Sequence, residues 1–310
     1  MKENISVVGA GKMGLGIAQF FAQNKKRIQL IDLNEDIAKD AKEKIMADLL
    51  HLEKMNLLEE NADEIINRIN VSTTLDDAKK SGIVFEAIPE KLELKTSLFL
   101  SLEKICSENT VFATNTSGIS INSIAKVLNH PERFLGTHFF MPAAIIPLVE
   151  VVKGDTTNDR LAEDIVKLLN LYGKKAVLIH KDIPGFIANR IQHAMAREAI
   201  SLLENGVASA EDIDTVVKWS LGVRMVHTGP IEQRDFNGID IHTDIASYLY
   251  KELENRTTPS PLLLDKIDKG ELGLKTNKGF YKWNEENKQE IVQQKNDALL
   301  KMIKYLEEQK

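Results

Sequence analysis

The amino-acid sequence predicts an α/β protein: a Rossmann-type doubly wound, mostly parallel sheet followed by a smaller all-α C-terminal domain. Three observations carry this expectation. Short apolar runs alternate with helically spaced segments up to about residue 180, the pattern of strands joined by crossover helices. A glycine-rich turn, Gly9-Ala10-Gly11-Lys12-Met13-Gly14, follows the first apolar run directly. After Pro184-Gly185 the remaining pattern is helical, so the domain boundary is drawn at 184, giving residues 1–184 and 185–310.

Ile5-Ser6-Val7-Val8 stops at Gly9 and reads as a buried strand. Residues 12–24 carry Met13, Ile17, Phe20 and Phe21 at helical spacing. Arg27 to Ile31 is a second strand, ending at Asp32. A long helix follows, with Ile37, Ala41, Ile45, Leu49 and Leu52 on one face. Ile83–Ala87 is a strand, 92–105 a helix, and Thr110–Ala113 a strand. Phe134–Phe140 and Leu148–Val152 read as extended, 158–171 as helix, and Ala176–Ile179 as the last strand. Beyond the boundary, helices are expected over 186–204, 210–220 and 240–254, with a solvated terminal helix after 284. Ser209 begins an N-cap pattern, with Asp212 at the third position.

Lys and Arg total 40 against 46 Asp and Glu, a net charge of −6, which argues against a nucleic-acid surface. The longest apolar run, Phe139 to Val149, is broken by Pro142 and Pro147 and falls short of a membrane span. Met1 to Asn4 lead straight into the first strand without a long apolar leader. Cys106 is the one cysteine, so no intrachain disulfide exists; a reducing, cytoplasmic location is the natural reading. Its flank looks like a helix end, and we read it as a packing residue rather than a nucleophile. His51, His130, His180, His193, His227 and His242 show no metal-ligand spacing, and no metal is expected.

The turn Gly9 to Gly14 fits GxGxxG between a strand and a helix, the context in which the pattern means dinucleotide binding. Gly9 permits the tight turn, Gly11 the approach of the pyrophosphate, and Gly14 close packing of helix on strand. The helix beginning at Lys12 and Met13 offers free amides and a positive dipole end to the phosphates. Asp32 stands 32 − 9 = 23 residues after Gly9, placed to accept the ribose hydroxyls and repel a 2′-phosphate. Leu33 and Asn34 follow rather than an arginine, so NAD is favoured over NADP. FAD is the competing dinucleotide, and no flavin-binding feature accompanies the turn.

Further motifs go beyond a generic dinucleotide-binding domain. They are Asn115-Thr116-Ser117-Gly118, His138-Phe139-Phe140, Leu148-Val149-Glu150-Val151-Val152, Pro184 to Arg190, and Lys278-Gly279-Phe280-Tyr281. In this order, over nearly the whole chain, they resemble the L-3-hydroxyacyl-CoA dehydrogenase family. The resemblance implies NAD-dependent oxidation of a short-chain 3-hydroxyacyl-CoA such as 3-hydroxybutyryl-CoA. It implies His138 as base, Glu150 as its partner, Ser117 on the substrate oxygen and Asn189 as a clamp on the reacting group. It places Glu90, Lys95, Asn115 and Ser117 along the cofactor. It also implies a homodimer, with the helical domain serving substrate-site closure and pairing.

The chemistry agrees. A histidine suits removal of a hydroxyl proton near neutral pH. Glu150 sits inside an apolar run, where an unpaired carboxylate is costly. Taken singly, His138 reads as a satisfied strand-end histidine, Ser117 as a turn residue, and Asn189 as a polar helix residue.

The sequence departs from the family at three places. Met141 stands where the family usually has Asn, and Gly118 follows Ser117 where a second serine is usual. In Leu50-His51-Leu52-Glu53-Lys54-Met55-Asn56-Leu57 only Lys54 remains of several lysines that meet the CoA phosphates. Arg68, Lys79 and Lys80 are the candidate replacements. The approach to Gly229-Pro230 is also unlike the family's usual one. A second reading therefore keeps the chemistry but takes a non-CoA carboxylated alcohol or aldehyde, its carboxylate held by Arg190 or Arg224. A third reading, a non-catalytic NAD-binding or structural protein, is opposed by the intact Ser117, His138, Glu150 and Asn189.

Overall fold

The computed structural model describes residues 4–308. Eight strands form one sheet: β1 (Ile5–Val8), β2 (Ile28–Ile31), β3 (Ile69–Ser72), β4 (Ile83–Glu86), β5 (Val111–Thr114), β6 (Phe134–Phe139), β7 (Leu148–Val152) and β8 (Lys175–Ile179). Their order is β3-β2-β1-β4-β5-β6-β7-β8. The first six strands are mutually parallel. β7 is antiparallel to β6, and β8 is parallel to β7. The chain thus reverses direction across the sheet between β1 and β4, and a ligand crevice is expected outside their carboxyl ends.

Six helices accompany the sheet: α1 (Lys12–Gln23), α2 (Glu35–Lys54), α3 (Ala62–Ile66), α4 (Leu92–Ile105), α5 (Ile121–Ala125) and α6 (Asp159–Leu171). Local chemistry starts them. The Asn34 side chain accepts from Asp36 and Ile37 N–H, Asn61 from Glu64, Ser120 from Ser123, and Asn158 from Leu161. The strands are covered on both faces, which is why they read as continuous apolar runs. Val7, Leu30, Phe85, Ala113 and Leu135 belong to one core layer. Val8, Ile31, Val84, Phe112 and Phe134 belong to the other, with Leu98, Phe99 and Leu102 of α4. Full burial of each large apolar side chain contributes roughly 1.5–3 kcal/mol.

The chain divides into two compact units, Met1–Asn189 and Arg190–Lys310. The second is all helix: the greater part of α7 (Ala188–Glu204), then α8 (Ala210–Val216), α9 (Val223–Met225), α10 (Glu232–Asn237), α11 (Ile239–Leu249), α12 (Pro261–Asp268) and α13 (Lys288–Glu308). Among the described residues, no hydrophobic side chain beyond Phe186 is buried. No described helix is long and apolar enough to cross a membrane.

The main elements agree with the sequence reading to within a few residues, and the differences have local causes. Helix α7 begins at Ala188 rather than 186 because Gly185 and Phe186 both have positive φ, +78° and +50°. The helix expected over 210–220 is α-helical to Val216 and continues as a wider π-turn over Val217–Gly222. The helix expected to reach 254 ends at Leu249. Strand β3 escapes the sequence reading because its four residues alternate without a glycine or proline boundary. The short helices α3, α5, α10 and α12 span eight residues or fewer, too short for periodicity to show.

One buried cation ties the loop between β6 and β7. Lys174 Nζ donates to the carbonyls of Ala143 at 2.7 Å and Ile146 at 2.8 Å. It lies 4.4 Å from the Phe20 ring centroid. Burial pushes its pKa down to about 7. Between that value and the ordinary 10.5 the unfolded chain holds a proton that the folded chain has released, so this group makes stability rise with pH across the window. The slope from such a group approaches about 1 kcal/mol per pH unit. Lys174→Met should flatten it, as read by urea unfolding at about pH 7.5 and about pH 9.5. An unchanged slope in the variant would remove Lys174 as its source.

Candidate active site

The carboxyl end of β1 delivers the glycine turn. Gly9 has φ +103°, and a Cβ there would stand 2.6 Å from the Ala87 carbonyl oxygen. A Cβ on Gly14 would fall 1.7 Å from the Gly9 carbonyl oxygen, so only glycine lets α1 pack this close. A Cβ on Gly11 meets nothing within 4 Å. No side chain caps α1 at its N-cap, Gly11. Open space before Gly11 and an uncapped helix N-terminus at Lys12 and Met13 together fit a pyrophosphate. Asp32, at the end of β2, accepts from Ala10 N–H at 2.8 Å and Asn34 N–H at 3.0 Å, one on each oxygen. Each oxygen keeps a further lone pair for a ribose hydroxyl.

The antiparallel pairing of β6 with β7 sets His138 directly opposite Glu150. Both are buried. His138 Nδ1 lies 2.9 Å from Glu150 Oε2. The other carboxylate oxygen, Oε1, accepts from Ile187 N–H at 3.0 Å and Ala188 N–H at 2.9 Å, at the start of α7. Burial by itself raises the Glu150 pKa, but the hydrogen bonds from His138 and the two amides outweigh it and hold the carboxyl below its usual range. The imidazole packs between Phe140 and Phe186, at centroid distances of 4.3 and 5.6 Å.

The turn after β5 carries Ser117, exposed to solvent. Asn115, just before it, accepts Phe139 N–H at 2.8 Å through Oδ1, which leaves its amide N–H groups as donors. Asn189 Nδ2 donates to the Ser117 carbonyl at 3.2 Å. Glu90 holds the turn from the other side. Its Oε1 accepts from Thr116 Oγ1 at 2.5 Å, Ser117 N–H at 2.9 Å and Gly118 N–H at 3.1 Å. Burial raises the Glu90 pKa, but these bonds and the Lys95 charge prevail and lower it.

Beneath Glu90 lies a pair that motif reading misses. Lys95 Nζ is 2.6 Å from Glu86 Oε1 and 3.2 Å from Glu90 Oε2. Glu86 is fully buried and also accepts Thr114 Oγ1 at 2.5 Å and Ile88 N–H at 2.8 Å. Burial raises its pKa despite these partners. The signal was available: Glu86 stands in an apolar strand run, as Glu150 does. Lys95, expected along the cofactor, is therefore buried under the Ser117 turn with its charge committed to two carboxylates.

Other basic and reactive residues lie as follows. Arg68, Lys79 and Lys80 precede β3 and β4, on the amino edge of the sheet, and so lie away from the carboxyl edge that carries Gly9. Arg68 is also committed to Glu60 at 2.5 Å and to the Ala22 carbonyl at 3.1 Å. Glu53 is engaged as well, accepting Ala62 N–H at 3.0 Å. Cys106 Sγ sits 3.4 Å from the Ala78 carbonyl oxygen, and burial pushes the thiol to about 11, so it is no thiolate at neutral pH. Arg224 donates to Ser220, one turn earlier in its own helical stretch.

Comparison with known proteins finds relatives over nearly the whole chain. Residues 4–183 match the 3-hydroxyacyl-CoA dehydrogenase NAD binding domain, and residues 185–283 match the 3-hydroxyacyl-CoA dehydrogenase C-terminal domain. A probable 3-hydroxybutyryl-CoA dehydrogenase of Bacillus subtilis is 38% identical over 285 residues, covering 91% of this chain and 98% of that protein. The 5-formyl-3-hydroxy-2-methylpyridine 4-carboxylate 5-dehydrogenase of Mesorhizobium japonicum is 29% identical over 308 residues, 99% of each chain. A solved structure of a dehydrogenase of this second kind, described as an NAD+ dependent dismutase, superposes with a TM-score of 0.92 at 28% identity, covering 99% of both chains.

Proposed function

Because the chain belongs to the 3-hydroxyacyl-CoA dehydrogenase family and is an NAD-dependent enzyme of it, we propose that it oxidises the hydroxyl of a short L-3-hydroxyacyl substrate to the ketone through His138 and Glu150. The observation that supports these roles is the buried His138–Glu150 contact of 2.9 Å. With Nδ1 bound to the carboxylate, Nε2 is the nitrogen left to take the hydroxyl proton. Glu150, kept ionised by its amide donors, fixes the tautomer and stabilises the imidazolium that forms. NAD, when bound, supplies the hydride acceptor. Gly9, Gly11 and Gly14 shape the pyrophosphate turn, with the amides of Lys12 and Met13 as donors, and Asp32 takes the ribose. Glu90 and Asn115 serve the nicotinamide end, Lys95 acting through Glu90. Ser117 and Asn189 hold the reacting oxygen.

The 38% identity to the Bacillus relative supports 3-hydroxybutyryl-CoA as the substrate. A specific observation favours a second reading, a non-CoA carboxylated alcohol or aldehyde. The family match ends at residue 283, whereas the Mesorhizobium pyridine carboxylate dehydrogenase aligns over 308 residues and so includes α13. The single lysine of the 50–57 stretch points the same way. An aldehyde would enter the same chemistry as its hydrate: His138 takes a hydroxyl proton, hydride leaves the hydrated carbon, and a carboxylic acid results. The deciding assay follows NADH formation from 3-hydroxybutyryl-CoA, free 3-hydroxybutyrate and a formylpyridine carboxylate in parallel. The thioester reading expects the first to turn over fastest. Preference for either free acid would replace it with the second.

His138→Gln should bind NAD as the parent does while kcat falls by about a hundredfold or more, the range for losing a general base. A loss under about tenfold would take His138 out of that role.

A homodimer formed through residues 190–310 is part of the proposal. It is supported by the unburied apolar side chains of those helices, among them Trp219 at 79%, Ile231 at 78% and Phe236 at 74% exposure. Sedimentation should give a dimer at micromolar concentration, and a monomer there would end this part of the reading.

A further inference from the structure

Four consecutive residues, 186–189, touch three parts of the proposed site. Phe186 packs on the His138 ring, Ile187 and Ala188 donate their amides to Glu150, and Asn189 donates to the Ser117 carbonyl. The turn begins with two successive left-handed residues, Gly185 and Phe186. Glycine adopts that conformation freely; phenylalanine does so at a conformational cost. Glycine at 186 would make the same turn unstrained, so the shape of the turn does not account for the ring. Something must hold the ring where the backbone resists it.

The packing answers this. Phe186 is 1% exposed and joins the core layer that includes Ile121, Phe134, Val152 and Ile179. Its ring meets the His138 imidazole at a 58° tilt, with Phe140 as the second aromatic neighbour of the same imidazole. Glu150 fixes one nitrogen of His138 but leaves the ring free to rock about that hydrogen bond. A second constraint on the ring plane removes that freedom.

We propose that Phe186 is a positioning residue for the dehydrogenation. Its buried ring holds the imidazole plane so that Nε2 stays aimed at the reacting hydroxyl. The left-handed backbone that buries the ring also turns the next two amides onto Glu150. One strained residue thus orients both members of the dyad. This rests on His138 being the base, as proposed above.

The test is Phe186→Leu, which keeps an apolar side chain of similar bulk in the buried site and removes the aromatic face. NAD affinity and thermal unfolding report whether the fold survives. The imidazole nitrogen signals of His138 in a 15N-labelled protein report its tautomer and mobility without any substrate. The expected result is NAD affinity and NAD KM near the parent's, kcat lowered by about tenfold to a hundredfold, and His138 signals broadened or split. Activity is read with 3-hydroxybutyryl-CoA, or with the formylpyridine carboxylate if the parent prefers it. Unchanged His138 signals in a folded variant overturn the inference, whatever the rate does. Altered signals with a parental rate overturn it as well, and leave the base role of His138 to the His138→Gln measurement. If the leucine variant does not fold, Phe186→Met, unbranched and adaptable, carries the same measurements.

Discussion

The Glu150 carboxylate is the point on which the proposed site depends. It is buried on β7, where an unpaired charge would be prohibitive. Each oxygen solves part of that problem. One accepts from His138 across the β6–β7 pair, and the other accepts the first amides of α7. The same group therefore joins the edge of the parallel sheet, the ring of His138 and the start of the long helix. The two backbone donors free it from depending on the histidine alone and help hold its pKa below the usual range.

A second buried carboxylate repeats the principle nearer the cofactor crevice. Glu86 at the end of β4 and Lys95 on α4 form a closed ion pair, satisfied by Thr114 and by the Ile88 amide. Lys95 also reaches Glu90, which gathers the N–H groups of Ser117 and Gly118. The turn bearing Ser117 is thus held through a polar chain that begins inside the core. Removing one member of such a buried pair leaves the other uncompensated, typically a change of about 3–5 kcal/mol. This pair works on the site without facing it, which separates Lys95 from the residues at the surface of the crevice.

Charge distribution bears on the substrate in a different way. The crevice for the dinucleotide lies at the carboxyl edge of the sheet, where uncapped amides favour an anion. Arg68, Lys79 and Lys80 collect at the opposite edge, and Arg68 is spent on Glu60 and on the end of α1. Helix α2 carries Lys39, Lys42 and Lys44 on its earlier turns and Lys54 as the one lysine of the 50–57 stretch. The single lysine of the 50–57 stretch, more than the net charge of −6, is the sequence feature behind the proposal of a compact carboxylated substrate.

Much of the molecule was legible in the chain itself. The apolar runs at Ile5–Val8, Ile83–Glu86 and Phe134–Phe139 mark strands covered on both faces, because burial on both sides demands continuous apolarity. Gly9 and Gly14 announce their turn through the GxGxxG spacing, and a Cβ at either would strike backbone. The pairing of His138 with Glu150 was expected, but the strand geometry that achieves it was not legible. That β7 runs against β6, setting His138 opposite Glu150, depends on the path of an eight-residue loop and on the Lys174 clamp beneath it. The burial of Lys95 depends on Glu86, nine residues away on another element. The left-handed Phe186 is invisible locally, since nothing in its neighbours requires it. The sequence by itself determined the parallel sheet, the dinucleotide turn and the residue types available for chemistry, because these follow from short-range sterics and from which side chains tolerate burial. Only the tertiary structure decided how the buried charges are satisfied and which rings pack on the histidine, because those contacts form between segments distant in the chain.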